Sequence, residues 1–377
     1  MVYLDNSATT AVCAQAIDRM VAVMTAQFGN PSSLHRLGIE AERELTAARK
    51  AVAALVGADG AQITFTSGGT EANNLAILGA AAALSRGSRK AVTTAVEHSS
   101  VAACFDELEK QGWQVTRVAP EADGTVSPQA IAAACGADTA LVSVMTVNNE
   151  TGALLDIAQT VRLVKKIAPK AVFHTDAVQA AGKLPLKAER WGVDLMTVSS
   201  HKLHGPKGAG ALYFRRGVRG LPRQSGGGQQ KGMRSGTEAT PAWLGFGAAA
   251  GAIAPFAEQQ AHFEALRTAL LDGVADIPDL RLHLPSAGVP YIVNLSVMGL
   301  RSETVLHFLA ERDIFVSGGS ACAKGRHSHV LAAMGLPEAE VDAALRISFC
   351  YENTAEDVRR LCEALHEAAQ TLQRRNV

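Results

Sequence analysis

The chain has 377 residues, more than one simple hydrophobic core holds, which favours two domains. Its 36 Lys and Arg balance its 36 Asp and Glu, so there is no basic stripe for direct nucleic-acid binding and no acidic tail for disorder. Hydrophobic residues reach 47%, rich in Ala and Gly, while aromatics stay at 5%, which suits a compact α/β enzyme.

The start, Met1-Val2-Tyr3-Leu4-Asp5-Asn6, carries neither the charged nor the apolar region of a signal peptide. From about residue 45 the pattern alternates. Apolar spacing predicts a helix over 46–56, a strand over 62–66 and an Ala-rich helix over 71–84. A β-branched strand at 91–96, a helix at 101–111 and strands at 113–118 and 140–145 follow. A helix at 157–167 and strands at 171–175 and 195–199 complete the series. Such alternation predicts a mostly parallel sheet with helices on both faces, binding its ligand beyond the carboxyl ends of the strands.

The apolar stretch 245–254 is too short and glycine-rich to span a membrane. Beyond it the pattern changes to helices at 257–271, 303–310 and 355–373 with strands at 281–284, 292–296 and 346–349. This reads as a smaller α+β domain. The expected division is a large domain over 15–250, and a small one built from 1–14 and 251–377. The six cysteines, at 13, 104, 135, 322, 350 and 362, form no CxxC pair and no zinc spacing. No metal site is expected, and reduced thiols point to the cytoplasm.

Four places carry chemistry. Thr66-Ser67-Gly68-Gly69-Thr70-Glu71 joins a strand to a helix, and such a helix start offers free N–H groups to an anion. His98 directly follows a strand, where its ring could stack on a planar ligand or move a proton, or simply cap the next helix. Asp176 ends a buried strand, and a carboxylate there needs a partner such as a protonated pyridine nitrogen, with Gln179 close by. Lys202, in Ser199-Ser200-His201-Lys202, lies at the mouth of another strand, fit for Schiff-base chemistry with a carbonyl cofactor. Together these point to pyridoxal phosphate. Arg234 or Thr237, in a polar glycine-rich stretch, could add a phosphate contact. Finally, Cys322 sits among Lys324, Arg326, His327 and His329, cationic neighbours that favour a nucleophilic thiolate.

These segments carry a family resemblance. Tyr3-Leu4-Asp5-Asn6-Ser7-Ala8-Thr9-Thr10, Gly29-Asn30-Pro31-Ser32-Ser33, Ser67-Gly68-Gly69-Thr70-Glu71, Glu97-His98 and Val147-Asn148-Asn149-Glu150 belong to it. So do Asp176-Ala177-Val178-Gln179, Ser200-His201-Lys202, Arg234-Ser235-Gly236-Thr237 and Gly319-Ser320-Ala321-Cys322. Over essentially its whole length the chain resembles the NifS-like cysteine desulfurases of the class-V aminotransferase group. The resemblance implies a pyridoxal-phosphate fold of type I, with a mostly parallel seven-stranded sheet. It implies that Lys202 carries the cofactor, that His98 stacks on its ring and moves protons, and that Asp176 pairs with the ring nitrogen. Asn149 and Gln179 would contact polar atoms of the ring. Gly69, Thr70, Ser199 and His201 would bind the phosphate, with Thr237 reaching in from the second subunit of a homodimer. Asn30 and Arg346 would hold the carboxylate of L-cysteine, and Cys322 would take its sulfur as a persulfide for an acceptor protein. Selenocysteine lyases and other class-V lyases are the nearest alternatives.

Two segments depart from the pattern. The stretch after the cysteine, Ala323-Lys324-Gly325-Arg326-His327-Ser328-His329, is shorter and more basic than in familiar members that supply iron–sulfur assembly and resembles desulfurases paired with one dedicated acceptor, such as a tRNA-thiolating enzyme; the acceptor is expected to be such an enzyme or an iron–sulfur scaffold protein. The segment Ser348-Phe349-Cys350-Tyr351-Glu352-Asn353 stands where a Gly-Arg-like turn is common.

Overall fold

The computed structural model of the chain describes residues 1–84, 87–318 and 328–373. Seven strands form the central sheet, in the order Ile63–Thr66, Gly210–Phe214, Leu195–Ser199, Val172–Asp176, Thr139–Ser143, Lys90–Thr94 and Gln114–Val118. Neighbours pair in parallel except on both sides of Gly210–Phe214, which runs antiparallel. The predicted mostly parallel sheet is therefore present. Strand Gly210–Phe214 escaped the sequence reading because its run Gly-Ala-Leu-Tyr-Phe follows a glycine-rich loop and has no period of two. It is buried on both faces, which removes the alternation.

Helices Gly69–Ala83 and Ser99–Lys110 cover one face, packing Leu75, Ile77, Phe105 and Leu108 against Leu141, Leu195 and Leu212. The other face joins the main core, which continues without a break into the second half of the chain. Two helices there were not anticipated: Ala14–Thr25 and Thr240–Gly251. The second is apolar all round, so no amphipathic period marks it, and it buries Trp243 and Phe246. It packs against Ala14–Thr25 and against Arg36–Leu55, a helix that begins ten residues before the expected start. At the second crossing a Cβ on Gly247 would meet the Ala48 Cβ at 2.5 Å, so only glycine permits this approach.

A smaller antiparallel sheet orders strands Ser317–Gly318, Ala344–Ser348, Ile292–Val297 and Leu280–Leu282. Helices Phe256–Val274 and Ala355–Thr371 pack together beside it. The amino-terminal strand Val2–Tyr3 pairs in parallel with Ile314–Phe315, and Asp5 bridges to Ser348. The first residues thus attach to the last third of the chain. Among the described residues, no helix is long and apolar enough to cross a membrane, and no cluster of three or more His, Cys, Asp or Glu could hold a metal ion.

Candidate active site

Five of the parallel strand ends converge on one edge of the large sheet. Strand Ile63–Thr66 leads to Gly68 and Gly69, Lys90–Thr94 to His98, and Thr139–Ser143 towards Asn149. Val172–Asp176 ends on Asp176, and Leu195–Ser199 runs into the short turn Ser200–Lys202. The antiparallel strand begins at this same edge with Gly210, where a Cβ would lie 2.5 Å from the carbonyl carbon of Gly68. That contact holds the glycine loop tight against the sheet.

Lys202 points its amine at the amino-terminal segment, donating to Ala8 O at 2.7 Å and to Ser7 O. That segment is fixed in turn by Thr10, whose N–H and hydroxyl donate to His201 O and whose hydroxyl accepts from His204 N–H. Asp176 is buried. Its Oδ1 accepts from Val178 N–H at 2.9 Å and its Oδ2 from the Asn73 amide at 2.8 Å. His98 caps helix Ser99–Lys110, and its Nδ1 faces Ser100. Burial above all, with Lys202 and His329 nearby, lowers the His98 pKa, while Asp176 opposes the shift. Burial likewise pushes His201 down to about 4, so its ring is neutral near pH 7.

A pyridoxal phosphate molecule fits the polar atoms that the protein leaves unsatisfied here. The Ser199 hydroxyl and Gln179 Oε1 are buried without a partner, which is costly unless a ligand supplies one. A Cβ on Gly69 would lie 3.6 Å from the Ser199 Cβ, so the unpartnered hydroxyl sits beside a helix start whose N-cap, Gly68, provides no side-chain cap. Backbone N–H groups and a hydroxyl together suit a phosphate dianion. Asp176 suits a protonated ring nitrogen, and the Lys202 amine suits a carbonyl carbon.

Other expected residues lie differently. Gln179 donates through Nε2 to Ser7 O, which ties it to the acceptors of Lys202. Asn149 is half-buried and offers its backbone carbonyl to Arg346. Arg346 is buried, donating to Asn149 O and to Asp5 Oδ1 at 2.8 Å, with its Nε unpartnered. Arg234 is committed to Glu71 at 2.9 Å and lies over the Trp243 ring, which weakens its candidacy for phosphate. Thr70 and Thr237 are exposed. Asn30 is exposed too, and its bonds with Ser32 and Ser33 stay within its own loop, so within one chain it does not join the cluster. Cys322, with Lys324, Arg326 and His327, lies outside the described residues.

Three polar side chains of the site were not singled out from the sequence. Asn73 stands one turn into the helix that follows the glycine loop, on the face that meets Asp176. Ser100 sits two residues after His98. Glu97 is fully buried, accepting through Oε1 from Thr94 Oγ1 and Met145 N–H, while its Oε2 has no partner. Burial, with a further push from Asp176, raises the Glu97 pKa from 4.5 to about 8. The folded state therefore holds a proton that the unfolded state has released between those two values, and stability falls as pH rises through this window. A Glu97→Gln protein does not titrate at this position, so its unfolding free energy from urea titration is expected to gain on the parent's from pH 4.5 to about 8, by a few kcal/mol at the upper end. A constant difference across that range would reject the assignment.

Comparison with known proteins agrees with this geometry. The family pattern "Aminotransferase class-V" matches residues 2–361. A protein named "Cysteine desulfurase" from Cereibacter sphaeroides is 42% identical over 370 residues, covering 97% of this chain and 94% of its own. A "NifS/IcsS protein homolog" from Lactobacillus delbrueckii subsp. bulgaricus is 41% identical over 376 residues, covering 98% and 97%. A solved structure titled "NIFS-LIKE PROTEIN" superposes with a TM-score of 0.93 at 34% identity, over 98% of this chain and 100% of that one. The converging strand ends, the lysine and carboxylate they carry and these full-length similarities together place the chain in the class-V aminotransferase family, among its NifS-like cysteine desulfurases.

Proposed function

We propose that this protein converts L-cysteine to L-alanine with pyridoxal phosphate as cofactor, and passes the sulfur to an acceptor protein. The observation that carries the reading is the placement of Lys202 and Asp176 at the ends of adjacent parallel strands, beside the unpartnered Ser199 hydroxyl. When bound, the cofactor supplies a carbonyl for amine exchange and an electron-withdrawing ring.

The chain's own residues do the rest. Ser199, the Gly69 loop and His201 would hold the phosphate, and Asp176 would pair with the ring nitrogen. Gln179 and Asn149 would contact polar atoms of the ring, and His98 would stack on it. Lys202, which would carry the cofactor, would also be the base that takes the α-proton of the substrate. Arg346 anchors the substrate carboxylate, with Asn30 assigned to the same task. Cys322, as a thiolate, attacks the substrate sulfur, so that a C–S bond breaks, an S–S bond forms and the carbon skeleton leaves as alanine after protonation. The persulfide then moves to an acceptor. The short basic stretch after Cys322 favours a narrow set of acceptors, such as one dedicated tRNA-thiolating enzyme, with an iron–sulfur scaffold as the other acceptor class. A cytoplasmic homodimer, in which Thr237 completes the partner's phosphate site, agrees with its exposure here. The division at residues 15–250 puts the cofactor on the large domain and Cys322 on the small one.

A Cys322→Ala protein is expected to keep the absorbance band of the bound cofactor and to form no protein persulfide when given cysteine. Mass spectrometry of the trapped thiols reads the result, and a persulfide that persists would reject Cys322 as the nucleophile.

A further inference from the structure

We propose that Asn73 and Ser100 are positioning residues that fix His98 as the imidazole tautomer protonated on Nε2, through a chain of hydrogen bonds that starts at Asp176. The chain is continuous in the structure. Asn73 Nδ2 lies 2.8 Å from Asp176 Oδ2 and 2.9 Å from Ser100 Oγ, and Ser100 Oγ lies 2.8 Å from His98 Nδ1.

Each proton follows from its neighbour. A carboxylate only accepts, so the Asn73 amide must turn its NH2 towards Asp176, because the flipped amide would bring two acceptor oxygens together. Its second N–H then donates to Ser100 Oγ. This leaves the unpartnered Asn73 Oδ1 as the acceptor without a use. With a lone pair occupied, the Ser100 hydroxyl gives its own proton to His98 Nδ1. The Ser100 backbone N–H donates to the same nitrogen at 3.2 Å. Two donors aimed at Nδ1 leave it no room for a proton, so the ring's one proton sits on Nε2. Charging the ring would require Nδ1–H to face an N–H, so the network also holds His98 neutral.

This rests on the reading that His98 faces the reacting atoms. There it makes His98 a proton donor through Nε2 in the resting enzyme, which leaves the part of base to Lys202. The charged and titratable groups around the ring are Asp176 from the end of strand Val172–Asp176, His201 and Lys202 from the turn after Leu195–Ser199, His329 from the helix His329–Ala333 and the adjoining Glu97.

Nitrogen NMR of the histidine-labelled holoenzyme tests the assignment, since the two ring nitrogens differ in shift according to which bears the proton. The parent protein is expected to show His98 with its proton on Nε2. In Asn73→Asp the new carboxyl shares one proton with Asp176, and its free oxygen accepts the Ser100 hydroxyl. Ser100 can then accept from Nδ1, so the proton is expected to move to Nδ1 and the His98 titration midpoint to rise by about one unit or more. Ser100→Ala removes one of the two donors and is expected to give a mixture of tautomers with a smaller rise. Its mild truncation keeps the test available if Asn73→Asp does not fold. A parent ring protonated on Nδ1, or a tautomer unmoved in the folded variants, would overturn the proposal. A protein that retains no pyridoxal phosphate would instead sink the reading of the site, with the tautomer still legible in the cofactor-free protein.

Discussion

Replacing Lys202 with Ala is expected to lower alanine formation from cysteine by about 10³-fold or more, because it removes both the covalent anchor and the base. The expectation comes from where the amine lies. It is held by the Ser7 and Ala8 carbonyls at the mouth of strand Leu195–Ser199. Lys183 is buried beneath, donating to Lys202 O at 3.1 Å, and burial lowers it to about 8. Arginine at position 202 would keep the charge and never lose its proton, so Lys202→Arg should be as inactive as Lys202→Ala. The absorbance of the bound cofactor separates causes: it should change in position while the phosphate site still retains the molecule. Turnover close to the parent's in either variant would remove Lys202 from its assigned role.

Arg346→Ala is expected to destabilise the fold by about 3–5 kcal/mol, the usual consequence of stripping one partner from a buried ion pair. Arg346 is 1% exposed and donates to Asp5, so its loss leaves a half-buried carboxylate without its guanidinium partner. Burial already raises the Asp5 pKa, and Arg346 above all, with Lys202, opposes the rise. The double variant Arg346→Ala with Asp5→Asn should recover part of the loss, since no charge is then stranded. Thermal unfolding checks both. The proposed grip on the substrate carboxylate predicts something further. In a folded Arg346→Lys protein the KM for cysteine should rise more than kcat falls, because a point charge replaces a planar donor fork. An unchanged KM would leave Arg346 with the structural task alone.

The sequence was most legible where local rules act alone. Strands 172–176 and 195–199 showed themselves as apolar runs, and Asp176 and Lys202 stood out because charge at the end of such a run needs a reason. Helix Thr240–Gly251 was hidden by the same logic, since a segment buried on every side has no period to read. Asn73 was illegible for a different cause. An asparagine inside a helix is ordinary, and only the packing of Gly69–Ala83 over the sheet reveals that it meets Asp176. Arg346 was visible as a residue of a matching segment, yet its pairing with Asp5 joins positions 341 residues apart and leaves no local mark.

The amino-terminal segment that holds the Lys202 amine has a consequence for how the protein is made. Val2 bonds to Asp313 O, and the Leu4 carbonyl accepts from Ser348 N–H at 2.7 Å. Residues 2–4 must therefore wait for residues 313–348 before they can dock. Closing so long a loop costs entropy and slows folding. Until it closes, the carbonyls of Ser7 and Ala8 lack their outer support, and the lysine they orient is not yet in register with Asp176. The catalytic centre is thus completed only once residues 313–348 are made, although the strands that carry it come earlier in the chain.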